Sequence, residues 1–127
     1  MEKLLQTGKV KAIGISNFSR VEMERLVDKV SVVPAVHQLE LHPWLQQRPF
    51  VEWHKAKDIH IIQYSPFGNQ NEMYSGPQHL GKLLEEPVLN EIGKKYGKSS
   101  AQIALGKSCF SSNVGLGISS LTKADSF

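Results

Sequence analysis

The scarcest residue in this sequence is cysteine: Cys109 stands alone. A lone thiol excludes an internal disulfide framework and suits a reducing compartment. Long apolar runs are absent too, since nothing approaches the roughly 20 residues of a membrane-spanning helix. The opening residues, Met1-Glu2-Lys3-Leu4-Leu5-Gln6, lack the apolar core of a secretory signal. The cytoplasm is therefore the expected location, by elimination, with no membrane partner. Charge of one sign is also sparse. The chain has 15 Lys and Arg against 12 Asp and Glu, with no run of five or six like charges. With no fold-level motif for it either, nucleic acid is not an expected partner. What remains is a composition of 40% hydrophobic and 21% charged residues, that of an ordinary globular domain.

The periodicity alternates between strand-like and helix-like stretches. Glu2 to Thr7 reads as a helix end stopped at Gly8, and Lys11-Ala12-Ile13-Gly14-Ile15 as a short buried strand. Ser19 and Glu22 have the spacing of a capping box, so a helix starts there. Its apolar positions are Val21, Met23, Leu26, Val27 and Val30. A second strand spans Ala35 to Leu39, just after Pro34. A loop from Leu41 to Gln47 follows, and Pro49 opens a helix running to about Asp58 that buries Phe50, Val51 and Trp53. Ile59 to Tyr64 forms a third strand, closed by Ser65-Pro66. After a loop from Phe67 to Gly81, Pro87 opens a helix over Val88 to Lys95, ended by Gly97. Ser99 and Gln102 cap one more over Ala101 to Leu105. Beyond Leu105 no period is sustained.

Strands separated by helices indicate successive β/α units and a parallel sheet. An open doubly wound sheet and a closed barrel share that pattern. A complete (β/α)8 barrel needs roughly 250 residues, and the 127 here, with about three strands, cannot close one. In either architecture ligands collect at the C-terminal ends of the strands. Those ends read Ser16-Asn17-Phe18, Gln38 followed by Glu40, and Tyr64-Ser65. Each strand thus delivers an amide, a hydroxyl or an aromatic ring to one rim. Ser16-Asn17 also has the composition of a plain turn leading into the Ser19 helix.

Three segments carry a resemblance: Gly14-Ile15-Ser16-Asn17-Phe18, then Pro34-Ala35-Val36-His37-Gln38-Leu39-Glu40-Leu41-His42-Pro43, then Tyr64-Ser65-Pro66. In this order and spacing the chain resembles the aldo-keto reductases, (β/α)8-barrel enzymes that reduce carbonyls with NADPH. The likeness covers roughly Met1 to Leu105, the second half of that barrel from the helix before its fifth strand. It implies a truncated member, residues 1–105, followed by a divergent, irregular tail over residues 106–127.

The resemblance implies a cofactor-binding set. Ser16, Asn17 and Gln38 would bond the nicotinamide carboxamide, and Tyr64 would stack on the nicotinamide ring. Ser65 and the loop through Phe67 and Asn69 would approach the pyrophosphate, with Asn69 standing where many relatives have serine. It implies equally what is not here. The family's catalytic Asp, Tyr, Lys and His come from its first four strands, and Tyr64, Tyr74 and Tyr96 match none of them. No catalytic residue and no metal ligand is therefore expected. The Lys-Ser motif that grips the 2′-phosphate in relatives has no match after Leu105. Partners of complete relatives would be NADP(H) and a small carbonyl compound.

Other motifs are set aside. Gly106-Lys107-Ser108 and Gly97-Lys98-Ser99 look like the end of a phosphate-binding loop, but Ala101 and Ile92 occupy the place of its first glycine. His37 and His42 are not at metal-ligating spacing. His37 points away from Gln38 on its strand, so packing is its expected role. Trp44 and Phe67 stand near the rim, where they could line a substrate pocket. The expected inner face of the sheet exposes Ile13, Val36 and Ile61 or their neighbours. A second reading is a non-catalytic binding or assembly module, self-associating through open sheet edges.

Overall fold

The structure is a computed structural model that describes residues 1–68, 81–110 and 114–116, with side chains described through residue 107. The elements are α1 (Glu2–Gln6), β1 (Gly14–Ser16), α2 (Arg20–Val27), β2 (Val36–Glu40), α3 (Arg48–Ala56) and β3 (His60–Tyr64). A 3-10 turn (Leu83–Glu85), α4 (Pro87–Tyr96), α5 (Ser100–Phe110) and β4 (Val114–Leu116) complete the series.

Helix starts follow local chemistry. The Ser19 amide donates to Glu22 Oε2 at 2.7 Å, and the Ser19 hydroxyl accepts from the Glu22 amide. The Ser19 hydroxyl also donates to the same Glu22 Oε2, at 2.6 Å, and this bond, with that from the Ser19 amide, holds the Glu22 carboxyl below its ordinary pKa. Ser99 and Gln102 repeat the arrangement before α5, at 2.9 and 3.2 Å. Each box satisfies amides that a helix start leaves unpaired. Pro87 opens α4 and Gly97, at φ 62°, ends it.

The strands form one parallel sheet in the order β1-β2-β3-β4. Gly14, Val36 and His60 lie side by side, as do Ser16, Gln38 and Ile62 one layer nearer the rim. The three expected parallel strands are present, and one expectation is corrected: α5 continues past Leu105 to Phe110, and a short fourth strand, β4, then pairs with Ile61–Gln63. Val114-Gly115-Leu116 is too short and too glycine-broken to show a period, and its pairing comes from β3. The remainder of the supposed tail, residues 111–113 and 117–127, lies outside the described residues.

Side chains alternate across the sheet. Ile15, His37, Leu39, Ile61 and Gln63 face the helices, where Met23, Leu39, Leu41, Phe50, Val51, Ile59 and Ile61 form the core. Gly14, Ser16, Val36, Gln38, Glu40, Ile62 and Tyr64 take the other face by the same alternation. Of Ile13, Val36 and Ile61 or their neighbours, expected on that face, Val36 itself belongs to it, and for the other two it is the neighbours Gly14 and Ile62 that do. Ile61 is 2% exposed in the core. Ile13 lines an apolar hollow with Leu26, Val30 and Pro34 on the helix side. An apolar pair such as Ile61-Ile62 conceals which member faces the core. Leu83, Leu89 and Ala104 form a second cluster against which Trp44, Phe67 and Ile103 pack.

Two glycines define a stability test. A Cβ on Gly93 would lie 2.5 Å from the Lys98 carbonyl oxygen, whereas one on Gly106 would meet nothing within 4 Å. Gly93→Ala should destabilise the fold by about 1–3 kcal/mol through backbone displacement. Gly106→Ala, inside α5, should stabilise it by up to about 1 kcal/mol through helix propensity. Urea midpoints moving the same way for both variants would contradict the packing of α4 on α5.

Candidate functional site at the strand ends

The C-terminal ends of β1, β2 and β3 are joined by hydrogen bonds. The Gln38 carbonyl accepts both the Asn17 amide at 3.0 Å and the Ser16 hydroxyl at 3.1 Å. Asn17 is left-handed, at φ 59°, a conformation asparagine adopts more readily than most residues. That turn carries its carboxamide over the rim, where Tyr64 Oη donates to Asn17 Oδ1 at 2.9 Å. The Ser16, Asn17 and Tyr64 side chains and the Gln38 carbonyl are thus brought together at the strand ends. Ser65, directly after β3, is also left-handed at φ 48°, and its carbonyl accepts the Gly68 amide at 2.9 Å. Residues at positive φ cluster at functional sites because the surrounding structure must hold them there.

The arrangement can bind a planar amide. With Oδ1 engaged by Tyr64, the Asn17 carboxamide still offers the two protons of Nδ2, and the Ser16 oxygen, donating to Gln38, can still accept. The phenol ring of Tyr64 is tethered at its far end, which restricts its orientation. Glu40 stands beside Tyr64 in the register and meets His42 Nε2 at 3.3 Å. Phe67 is half-buried against the Leu83 cluster together with Trp44, so both rings contribute packing there. Asn69 lies outside the described residues. Among the described residues no group of three or more His, Cys, Asp or Glu could hold a metal.

Beneath the rim lies a feature the sequence did not foretell. The Phe18 amide donates to His37 Nε2 at 3.1 Å, His37 Nδ1 meets His54 Nε2 at 2.7 Å, and His54 Nδ1 meets the Phe50 carbonyl at 2.7 Å. Both rings are fully buried, edge-on to Phe18, Phe50 and Trp53. His37 is thus in the core, as its strand position suggests, but as a bonded group. Phe50, Val51 and His54 share one helical stripe, so a buried histidine needing a partner was readable on α3.

Comparison with known proteins now decides the family. The description "Aldo/keto reductase family" applies to the family profile that matches residues 1–106. The chain belongs to the aldo/keto reductase family. An uncharacterized oxidoreductase of Schizosaccharomyces pombe is 51% identical over 98 residues, 77% of this chain and 30% of that protein. Aldo-keto reductase family 4 member C11 of Arabidopsis thaliana is 43% identical over 83% of this chain and 32% of its own length. A crystal structure of an aldo-keto reductase complexed with NADPH superposes with a TM-score of 0.80 at 34% identity. It covers 91% of this chain and 35% of the solved one. The fold is accordingly part of a (β/α)8 barrel. The chain spans about a third of the length of the curated relatives it matches. No helix among the described residues is long and apolar enough to cross a membrane.

Burial, and then the neighbouring His54, bring the His37 pKa down from 6.5 to about 4. Burial lowers His54 as well, opposed by the Phe50 carbonyl. An unfolded chain takes up these protons near pH 6.5 and the folded one resists them, so acid favours unfolding. Stability should therefore be full above pH 6.5 and decline as pH falls toward about 4. Urea midpoints between pH about 6.5 and 5, above most carboxylate titration, should drop steadily. A flat profile there would contradict two neutral buried rings.

Proposed function

We propose that this chain carries the nicotinamide-binding side of an NADP(H)-dependent carbonyl oxidoreductase and has no turnover by itself. The observation that carries the proposal is the bond from Tyr64 Oη to Asn17 Oδ1 at 2.9 Å, on a rim where Ser16 and Gln38 already meet. In this reading Ser16, Asn17 and Gln38 hold the nicotinamide carboxamide, whose need for both donors and acceptors they meet. The tethered Tyr64 ring supports one nicotinamide face, so that the hydride the cofactor supplies is presented from the other. Ser65, the backbone at Phe67, and Asn69 approach the pyrophosphate. The substrate class is small aldehydes and ketones, and the expected location is the cytoplasm.

The proposal also rests on the mismatch of Tyr64, Tyr74 and Tyr96 with the family's proton donor. A general acid contributes typically about 10²–10⁴-fold, and positioning by the remaining barrel would be missing as well. A second reading, self-association, is favoured by β1, which among the described residues pairs on one side only.

Purified chain should bind NADPH weakly and oxidise none above background with simple aldehydes. Tyr64→Ala should weaken that binding about tenfold, since stacking on an aromatic face contributes up to about 1.5 kcal/mol. Turnover near one per second, an ordinary enzymatic rate, would contradict the proposal, as would unchanged affinity in the variant.

A further inference from the structure

We infer that His37 and His54 are positioning residues: a chain of hydrogen bonds, donating in one direction from the Phe18 amide at the rim to the Phe50 carbonyl on α3, holds the Asn17 carboxamide where the nicotinamide would meet it. This deepens the proposed function and rests on it for the identity of the ligand.

The direction follows from donor chemistry. The Phe18 amide can only donate, so His37 Nε2 carries no proton. A neutral His37 must then carry its proton on Nδ1 and donate to His54 Nε2. His54, accepting there, carries its own proton on Nδ1 and donates to the Phe50 carbonyl, which can only accept. One arrangement of protons satisfies all three contacts, so each ring fixes the tautomer of the other.

The fixed end of this chain is the segment that the rim depends on. Asn17 lies between two tethers, its own amide on the Gln38 carbonyl and the next amide, Phe18, on His37. Together they hold the left-handed turn that presents the carboxamide to Tyr64. If His37 carried its proton on Nε2, two N–H groups would face each other and the second tether would be lost. His54 prevents this from a distance, bonding and packing on His37, Phe50 and Trp53. The groups facing the pair are Phe18 after β1 and Phe50 and Trp53 from α3. Among the described residues no carboxylate or ammonium group bonds either ring, and each histidine is the other's only titratable partner.

The test uses the full chain labelled with 15N. Long-range imidazole spectra at neutral pH should show both rings as the Nδ1–H tautomer, and His37 as the Nε2–H tautomer would overturn the inference with no variant needed. His54→Leu removes the acceptor of His37. It should shift the Phe18 amide and Asn17 side-chain signals, and weaken NADPH binding about tenfold, the scale of one well-placed hydrogen bond. Binding of 2′-phospho-ADP-ribose, which lacks the nicotinamide, should change less than about twofold on the same scale. In the double variant His37→Gln/His54→Leu, the introduced glutamine oxygen can accept from the Phe18 amide without a tautomer to fix, so the signals and the nicotinamide-dependent affinity should return. A merely structural role would lower both nucleotide affinities together and would not be rescued, and either result would overturn the inference. If the parent chain binds neither nucleotide, the proposed function fails, and the spectra alone then decide. Asn17 signals that move in the single variant and return in the double one support the relay, and unmoved signals overturn it.

Discussion

The carbonyl oxygen of Gln38 ties the rim together. It accepts the Asn17 amide, the last rung of the β1–β2 ladder, and the Ser16 hydroxyl beside it. Because parallel strands all point the same way, the register that sets Ser16 against Gln38 also delivers Tyr64 to the same edge. A slip of one residue would turn Gln38 toward the helices and His37 outward, exchanging the rim for the core. Gly14 guards that register, since a Cβ there would lie 2.9 Å from the Val36 carbonyl oxygen.

The two faces of the sheet have different demands. Toward the helices, β2 and β3 contribute Leu39 and Ile61 to a close-packed apolar core, and only polar groups with partners are cheap there. His37 and His54 meet that demand through each other and through two backbone groups. Gln63, equally buried, has no hydrogen-bond partner for its side-chain amide among the described residues. The other face carries Ser16, Gln38, Glu40 and Tyr64, polar side chains that are only partly covered or exposed. Chemistry and packing are thus segregated by strand alternation, and the His37–His54 chain connects the two.

Much of this was legible where the determinants are local. The Ser19–Glu22 and Ser99–Gln102 boxes, the proline starts of α3 and α4 and the glycine end of α4 depend on neighbours within a turn, and all appear as read. The meeting of the Ser16, Asn17 and Tyr64 side chains and the Gln38 carbonyl follows from polar residues standing at the ends of parallel strands. What failed needed distant information. β4 exists because β3 pairs with it, and nothing within Val114-Gly115-Leu116 announces it. The adjacent isoleucines of β3 hid which one faces the helices. The bond between His37 and His54 joins residues 17 apart in sequence, on different elements, so no motif spacing could reveal it.

The central claim, that this rim seats a nicotinamide, is tested most directly by magnetisation transfer between cofactor and protein. Transferred nuclear Overhauser measurements with NADP⁺ and the full chain should connect the nicotinamide ring protons to the Tyr64 ring and to the Asn17 side-chain amide. Contacts from the adenine end alone, or nicotinamide contacts to residues away from these strand ends, would contradict it.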